Sequence, residues 1–289
     1  MKQLFTLMAT AMLCTAAKAQ NDTTITKKES DTIKIGNMVI IKKGGGSESK
    51  NKYVHIDVER RQRSKPSNIS TNWGIVDLGF ANYIDKTNYG NTGGYLYDRQ
   101  GAAPLGESDF SLNTGKSVDV NIWFFMQRFN LISHHVNLKY GVGIELNNYR
   151  YQSAISYLKS NPFVTNQTPA PVIIRDTISF SKNKLAADYV TVPLMINFCT
   201  NPESNNKGLS LSLGVSAGYL YSQRNKQISN ERGKKKTKGD LGLEPFKFSY
   251  IAELGLGPVH LYGSYAPNTI YKKGLDIRPY TVGVRLSNW

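Results

Sequence analysis

Between Gly115 and Tyr151 the chain alternates. Val118, Val120, Ile122, Phe124 and Met126 interleave with Ser117, Asp119, Asn121 and Gln127. After a short Phe129–His135 link, Val136, Leu138, Tyr140, Val142, Ile144 and Leu146 interleave with Asn137, Lys139, Gly141, Gly143, Glu145 and Asn147. A period of two places one set on each face of a strand. The two segments predict a hairpin with one apolar face and one face carrying Asp, Lys and Glu. Each is long enough to cross a bilayer, which takes about 9–11 tilted residues. Alone, the pair fits a soluble β-sandwich equally well.

The rest of the chain repeats the pattern. Strands are predicted at Asn72–Tyr83, Lys116–Asn130, His134–Tyr151, Ala186–Cys199, Gly208–Ser222, Phe246–Leu256, Val259–Ala266 and Ile277–Trp289. Long links (Ile84–Thr114, Gln152–Leu185, Gln223–Pro245 and the shorter Pro267–Asp276) alternate with short turns, and the second carries a candidate strand at Val172–Phe180. Short periplasmic turns and long outer loops are the layout of an outer-membrane barrel. The expected fold is therefore all-β: an eight-stranded antiparallel transmembrane β-barrel over residues 71–289. Pro193 removes a ladder donor from the fourth strand and predicts a bulge or weak seam there.

The two faces carry different chemistry. The outward positions read as free of charge at mid-strand, with Arg128 as the one outward charge at a periplasmic end. Tyr83, Tyr219, Tyr221, Phe246, Tyr265 and Tyr280 fall near strand ends, where an aromatic girdle belongs. Inward positions carry Asp77, Asp119, Lys139, Glu145, Lys247, Glu253 and Arg285. An eight-strand barrel is just filled by its side chains, and buried charges persist when paired. These residues predict a closed polar core rather than a pore.

Residues 1–19 read as a secretory signal peptide: Lys2, an apolar Leu4–Leu13 core and an Ala17-Lys18-Ala19 cleavage site. Leu13 before Cys14 argues against a lipoprotein. Residues 20–70 form a polar, basic, partly ordered periplasmic extension. It has β character only at Ile33–Ile41, a candidate hairpin about Gly36-Asn37, and at Tyr53–Val58. A Gly44–Ser47 joint and a basic Arg60–Pro66 hinge follow. The formal charge is +15, or +13 once Lys2 and Lys18 leave. In an exported chain that points to anionic headgroups or an acidic partner, not nucleic acid. Lys234, Lys235, Lys236 and Lys238, in the third long link between Gly233 and Gly239, are candidate contacts to lipopolysaccharide phosphates on a mobile loop tip.

Candidate chemistry is sparse. Cys199 is the one cysteine of the mature chain, His134-His135 lacks a third metal ligand, and His260 and Ser264 share a strand face about 13 Å apart. No cofactor, metal or catalytic set is expected, and the chain reads as non-enzymatic.

The stretch Lys184 to Phe198, KLAADYVTVPLMINF, resembles the mid-barrel strand of the PorT-like small outer-membrane barrels of the Bacteroidota, a group that also resembles the OmpX and OmpA barrels. The likeness covers roughly Asn72 to Trp289. It implies insertion by the outer-membrane assembly machinery, a structural or protein-secretion-accessory role with a periplasmic or secretion-apparatus partner, and no shared catalytic residues. The alternative is a surface adhesion or ligand-binding barrel acting through its outer loops. One departure is that Trp289 keeps register with Arg285 rather than with Val284 and Leu286, so a bulge near Ser287-Asn288 is expected.

Overall fold

The computed structural model describes residues 32–35, 38–41, 67–162, 170–202, 208–257 and 259–286. Two compact units result, Met1–Lys65 and Pro66–Trp289. In the first, Thr32–Ile35 pairs antiparallel with Met38–Ile41, Ile35 opposite Met38, as the candidate hairpin requires. The signal segment, the Tyr53–Val58 strand and the Trp289 register lie outside the described residues.

In the second unit eight strands follow one another: β1 Ile69–Asp85, β2 Val118–Ile132, β3 Val136–Arg150, β4 Lys182–Cys199, β5 Leu209–Ser229, β6 Phe246–Leu256, β7 Val259–Tyr265 and β8 Ile277–Leu286. Each pairs antiparallel with the next, and β8 pairs back onto β1. Paired residues lead round the ring from Leu213 through Ala252, Gly263, Val282, Phe80, Val118, Asn148 and Ala186 to Arg224. Arg224 lies eleven residues farther along the strand that carries Leu213. Such a stagger is what closing a sheet of strands tilted by about 35–45° demands.

Alternation sorts the side chains. Leu78, Phe80, Val192, Leu194, Leu211, Leu213, Phe248, Leu261 and Val284 are exposed on the outer wall. Tyr219, Tyr221 and Phe246 are exposed toward the end that carries the long links, here the loop end. Tyr83 departs from the predicted girdle. It has the inward parity of Asp77 and Ala81, its hydroxyl donates to the Phe110 carbonyl, and its ring lies 5.8 Å from that of Tyr149.

Two of the register shifts bear on which charged residues face in. The β2–β3 register shifts between Trp123 and Phe125. Met126 therefore turns inward and is fully buried, and Arg128 lines an interior cavity. Neither is outward, as a straight strand would have it. The β4–β5 register shifts between Leu220 and Ser222. Before it Ser212, Ser216 and Gly218 face in; after it Asn225, Gln227 and Ser229 do. At Pro193 there is no bulge. The β3–β4 register holds on either side, but pairing lapses between Tyr140↔Leu194 and Gly143↔Thr191, because proline has no N–H to give.

The long links are more ordered than their lack of periodicity predicts. β5 runs seven residues past its expected end, and Gly233–Lys238 pairs back on it, Ser229 opposite Gly233. The lysine run is thus a strand, not a loop tip. Leu96–Tyr97, Val172–Arg175 and Ile155–Leu158 form a small sheet; the strand expected to reach Phe180 ends at Arg175. Between these links and the loop-end strands lies an apolar core, with Tyr95, Phe110, Tyr157, Leu243 and Tyr271 from the links and Tyr149, Leu185 and Tyr189 from the ring.

Candidate functional site

The interior divides at about Tyr189. Toward the turn end lie all seven predicted core residues, each at most 6% exposed. β8 and β1 are neighbours, so Arg285 stands opposite Asp77 and grips it through two bonds of 2.7 and 2.8 Å. Its third nitrogen reaches Glu253 at 2.6 Å. Lys139 crosses from β3 to the same carboxylate at 2.8 Å, and His260 Nδ1 lies 3.3 Å from it. Lys247 pairs with Glu145 at 2.5 Å and sits over the Tyr189 ring. Asp119 takes a bond of 2.6 Å from the Tyr262 hydroxyl.

Aromatic groups complete this network, and the charge pattern alone had missed them. Trp123 donates its indole N–H to Asp77 at 2.7 Å and lies under the Arg285 guanidinium. It keeps the parity of Asp119 and Asn121, the one signal that marks it. Tyr262 reaches Asp119 across Gly79 and Gly283. A Cβ on Gly79 would meet the Tyr262 hydroxyl at 2.6 Å, and one on Gly283 would meet its ring at 2.7 Å. Two interior cavities, one beside Arg128 and His260 and one beside Asp119 and Tyr262, measure about 20 Å³ each, room for roughly one water apiece.

Toward the loop end the interior is largely apolar and phenolic, with Asn183 and Gln227 donating to the Ile155 carbonyl and Asn225 donating to Asn183. Tyr157 bonds Tyr151 and Tyr271 at 2.6 Å each, and Tyr151 meets Tyr271 at 3.2 Å. Burial pushes the Tyr151 phenol up to about 12, against the opposing pull of those hydroxyl bonds, so it is neutral at physiological pH. Arg175 fastens the first two long links together, 2.5 Å from Asp109 and 2.7 Å from the Ala103 carbonyl.

A second group of charges lies on the outer wall above Tyr221. Across the paired strands Arg150, Lys184, Lys226 and Lys236 stand in one row, with Lys182 and Lys234 on one side and Arg224 and Lys238 on the other. Lys235 pairs with Gln227 and so points to the opposite face. The four lysines singled out by composition are therefore split three to one. Asp188, which alternation places on the outer wall, is buried beneath Arg224 and ion-paired to it; the outer wall is thus not free of charge at this height. Burial, then the nearby charges of Lys182, Lys226 and Arg224, pushes the Lys184 amine down to about 8.

An antiparallel ring with an apolar exterior, a paired polar interior and short turns at one end defines a β-barrel of the bacterial outer membrane. Residues 68–268 match the family described as "Outer membrane protein beta-barrel domain", and the chain belongs to it; its place is the outer membrane. No curated protein matches the sequence. Among solved structures it is similar to Ail, the attachment invasion locus protein of Yersinia pestis, solved with the heparin analogue sucrose octasulfate. The identity is 12% over 74% of this chain and 99% of that one, with a TM-score of 0.26. An overlap that loose carries no ligand or role to this chain.

Proposed function

We propose that this barrel is a closed, non-catalytic membrane anchor that acts through its surfaces, as a structural or secretion-accessory protein of the PorT-like kind, rather than as a pore. The observation that carries this reading is the Arg285–Asp77–Glu253–Lys139 cluster. It joins side chains from β8, β1, β6 and β3 across the lumen, and the two cavities beside it, among the described residues, have room for about one water each. The core under the long links supports the same reading, since it fills the other half of the interior.

The test has two parts. In planar bilayers the purified full-length protein is expected to give no steady ion conductance, and stable open channels would overturn the closed lumen. Pull-down from native outer membranes in mild detergent is expected to recover envelope or secretion components, lost when residues 20–70 are deleted. Recovery of the barrel alone would count against the accessory role. The ordered link sheet favours a second reading, a binding surface on the loop-end cap; loss of surface binding on deleting residues 155–175, with the barrel intact, would favour that reading instead.

A further inference from the structure

The bulge between Leu220 and Ser222 has an effect that the closed lumen does not require. Without it Arg224 and Lys226 would keep the parity of Ser212 and Ser216 and point inward. With it they join the outer wall, next to Lys182 and Lys184 on β4 and the outward lysines Lys234, Lys236 and Lys238 on the paired hairpin strand. Neighbouring strands are about 4.8 Å apart, so the Arg150–Lys184–Lys226–Lys236 row spans roughly 14 Å. Among the described residues, no ion pair joins any of these lysines to a carboxylate; Asp188 is the acid beside them, and Arg224 holds it. Lys184 donates to the Asn148 side chain at 2.6 Å and Arg150 to the Ser181 carbonyl at 2.7 Å. So dense a set of like charges repels itself unless an anion joins it.

Its height selects the anion. The row is continuous with the exposed apolar belt below, through Tyr221, Tyr219 and Val190. Lys226 stands five residues beyond Tyr221, roughly 12 Å up a tilted strand. The headgroup layer of a simple phospholipid is about 5–8 Å thick. We infer that the outer wall of β3, β4, β5 and the Gly233–Lys238 strand is a binding site for the phosphorylated sugar headgroup of an outer-leaflet glycolipid, whose acyl chains lie on the belt beneath. The perturbed Lys184 amine accords with a cation cluster built to share its charge with a bound phosphate.

The test uses the full chain in nonionic detergent and reads lipid binding by native mass spectrometry. The probes are rough lipopolysaccharide, the same lipid after removal of its phosphates, phosphatidylglycerol and inorganic pyrophosphate. The phosphorylated glycolipid is expected to bind tightest. The triple change Lys184→Gln, Lys226→Gln and Lys236→Gln should weaken it by about a hundredfold, from the contribution of surface lysines near anionic lipid. Lys235→Gln, on the other face of the same strand, should change nothing. A compact, heat-modifiable gel band checks that each variant is folded, and the dephosphorylated lipid tests the unaltered protein whether or not the triple variant folds. Equal binding of dephosphorylated lipid, of phosphatidylglycerol or of pyrophosphate would overturn the site, as would a folded triple variant that binds as the parent does.

Discussion

Charge inside the ring and charge on its outer wall follow different rules. Inside, Arg285, Lys139 and Lys247 each lie within 2.9 Å of a carboxylate. Outside, Lys182, Lys184, Lys226 and Lys236 stand on adjacent strands with Asp188 as the acid among them. A charge withdrawn from water needs a partner of its own, because desolvation is several kcal/mol per ion by rough estimate. A charge at the surface can leave that to solvent or a ligand, and is worth little to the fold by itself. The inner set is therefore matched within the protein, while the outer set leaves its compensation to solvent or to a ligand.

The largest effect should come from breaking the inner set. Arg285→Met takes from Asp77 its cation and from Glu253 one of its two, leaving Asp77 the Trp123 indole N–H in the lumen. It is expected to lower stability by about 3–5 kcal/mol, the usual result of removing one partner of a buried pair, read as a drop in the urea midpoint of the barrel folded in vesicles. Adding Asp77→Asn should restore part of that, since Glu253 keeps Lys139. If Arg285→Met unfolds no more easily than Lys235→Gln, the lumen is wet and the contrast with the outer wall disappears. Tyr262→Phe should have a smaller effect. The ring still fills the slot over Gly79 and Gly283, but Asp119 loses its donor, for about 1.5–3 kcal/mol as for hydrogen bonds to charged groups.

The two sets also differ in how they could be found from sequence. The seven predicted inner charges keep the local alternation of their strands, so Asp77, Asp119, Lys139, Glu145, Lys247, Glu253 and Arg285 are legible from parity alone, whereas Arg128 is not. The outer set is assembled by the irregularity at Tyr221, which a period of two cannot register, and by a hairpin strand whose Lys- and Gly-rich sequence has low β propensity. The same kind of irregularity at Phe124 hid the inward turn of Met126 and Arg128. The loop-end core was illegible for another reason. Tyr95, Phe110, Tyr157, Leu243 and Tyr271 come from separate long links without a period, and nothing local marks residues that meet only through tertiary packing.

The smallest effect should be a pH dependence that belongs to the outer set. The Lys184 amine titrates near 8 in the folded protein, for reasons of burial and then of Lys182, Lys226 and Arg224, and near about 10.4 in the unfolded chain. Between those values the unfolded chain binds the extra proton, so folded stability rises with pH. Below about 8 both states are protonated and the crowding of Lys184 against its neighbours is felt in full. In detergent free of anionic lipid, hydrogen exchange of the β4–β5 extensions, Lys182 to Ala187 and Arg224 to Ser229, should therefore slow relative to its intrinsic rate as pH rises from 8 to 10. Lys184→Gln should flatten that trend, and so should bound phosphorylated glycolipid, which supplies the missing negative charge. The inner set should show no such response to that lipid, because its cations already have their carboxylates. A trend that persists unchanged in Lys184→Gln would place the titrating group elsewhere on the wall and remove this distinction between the two sets.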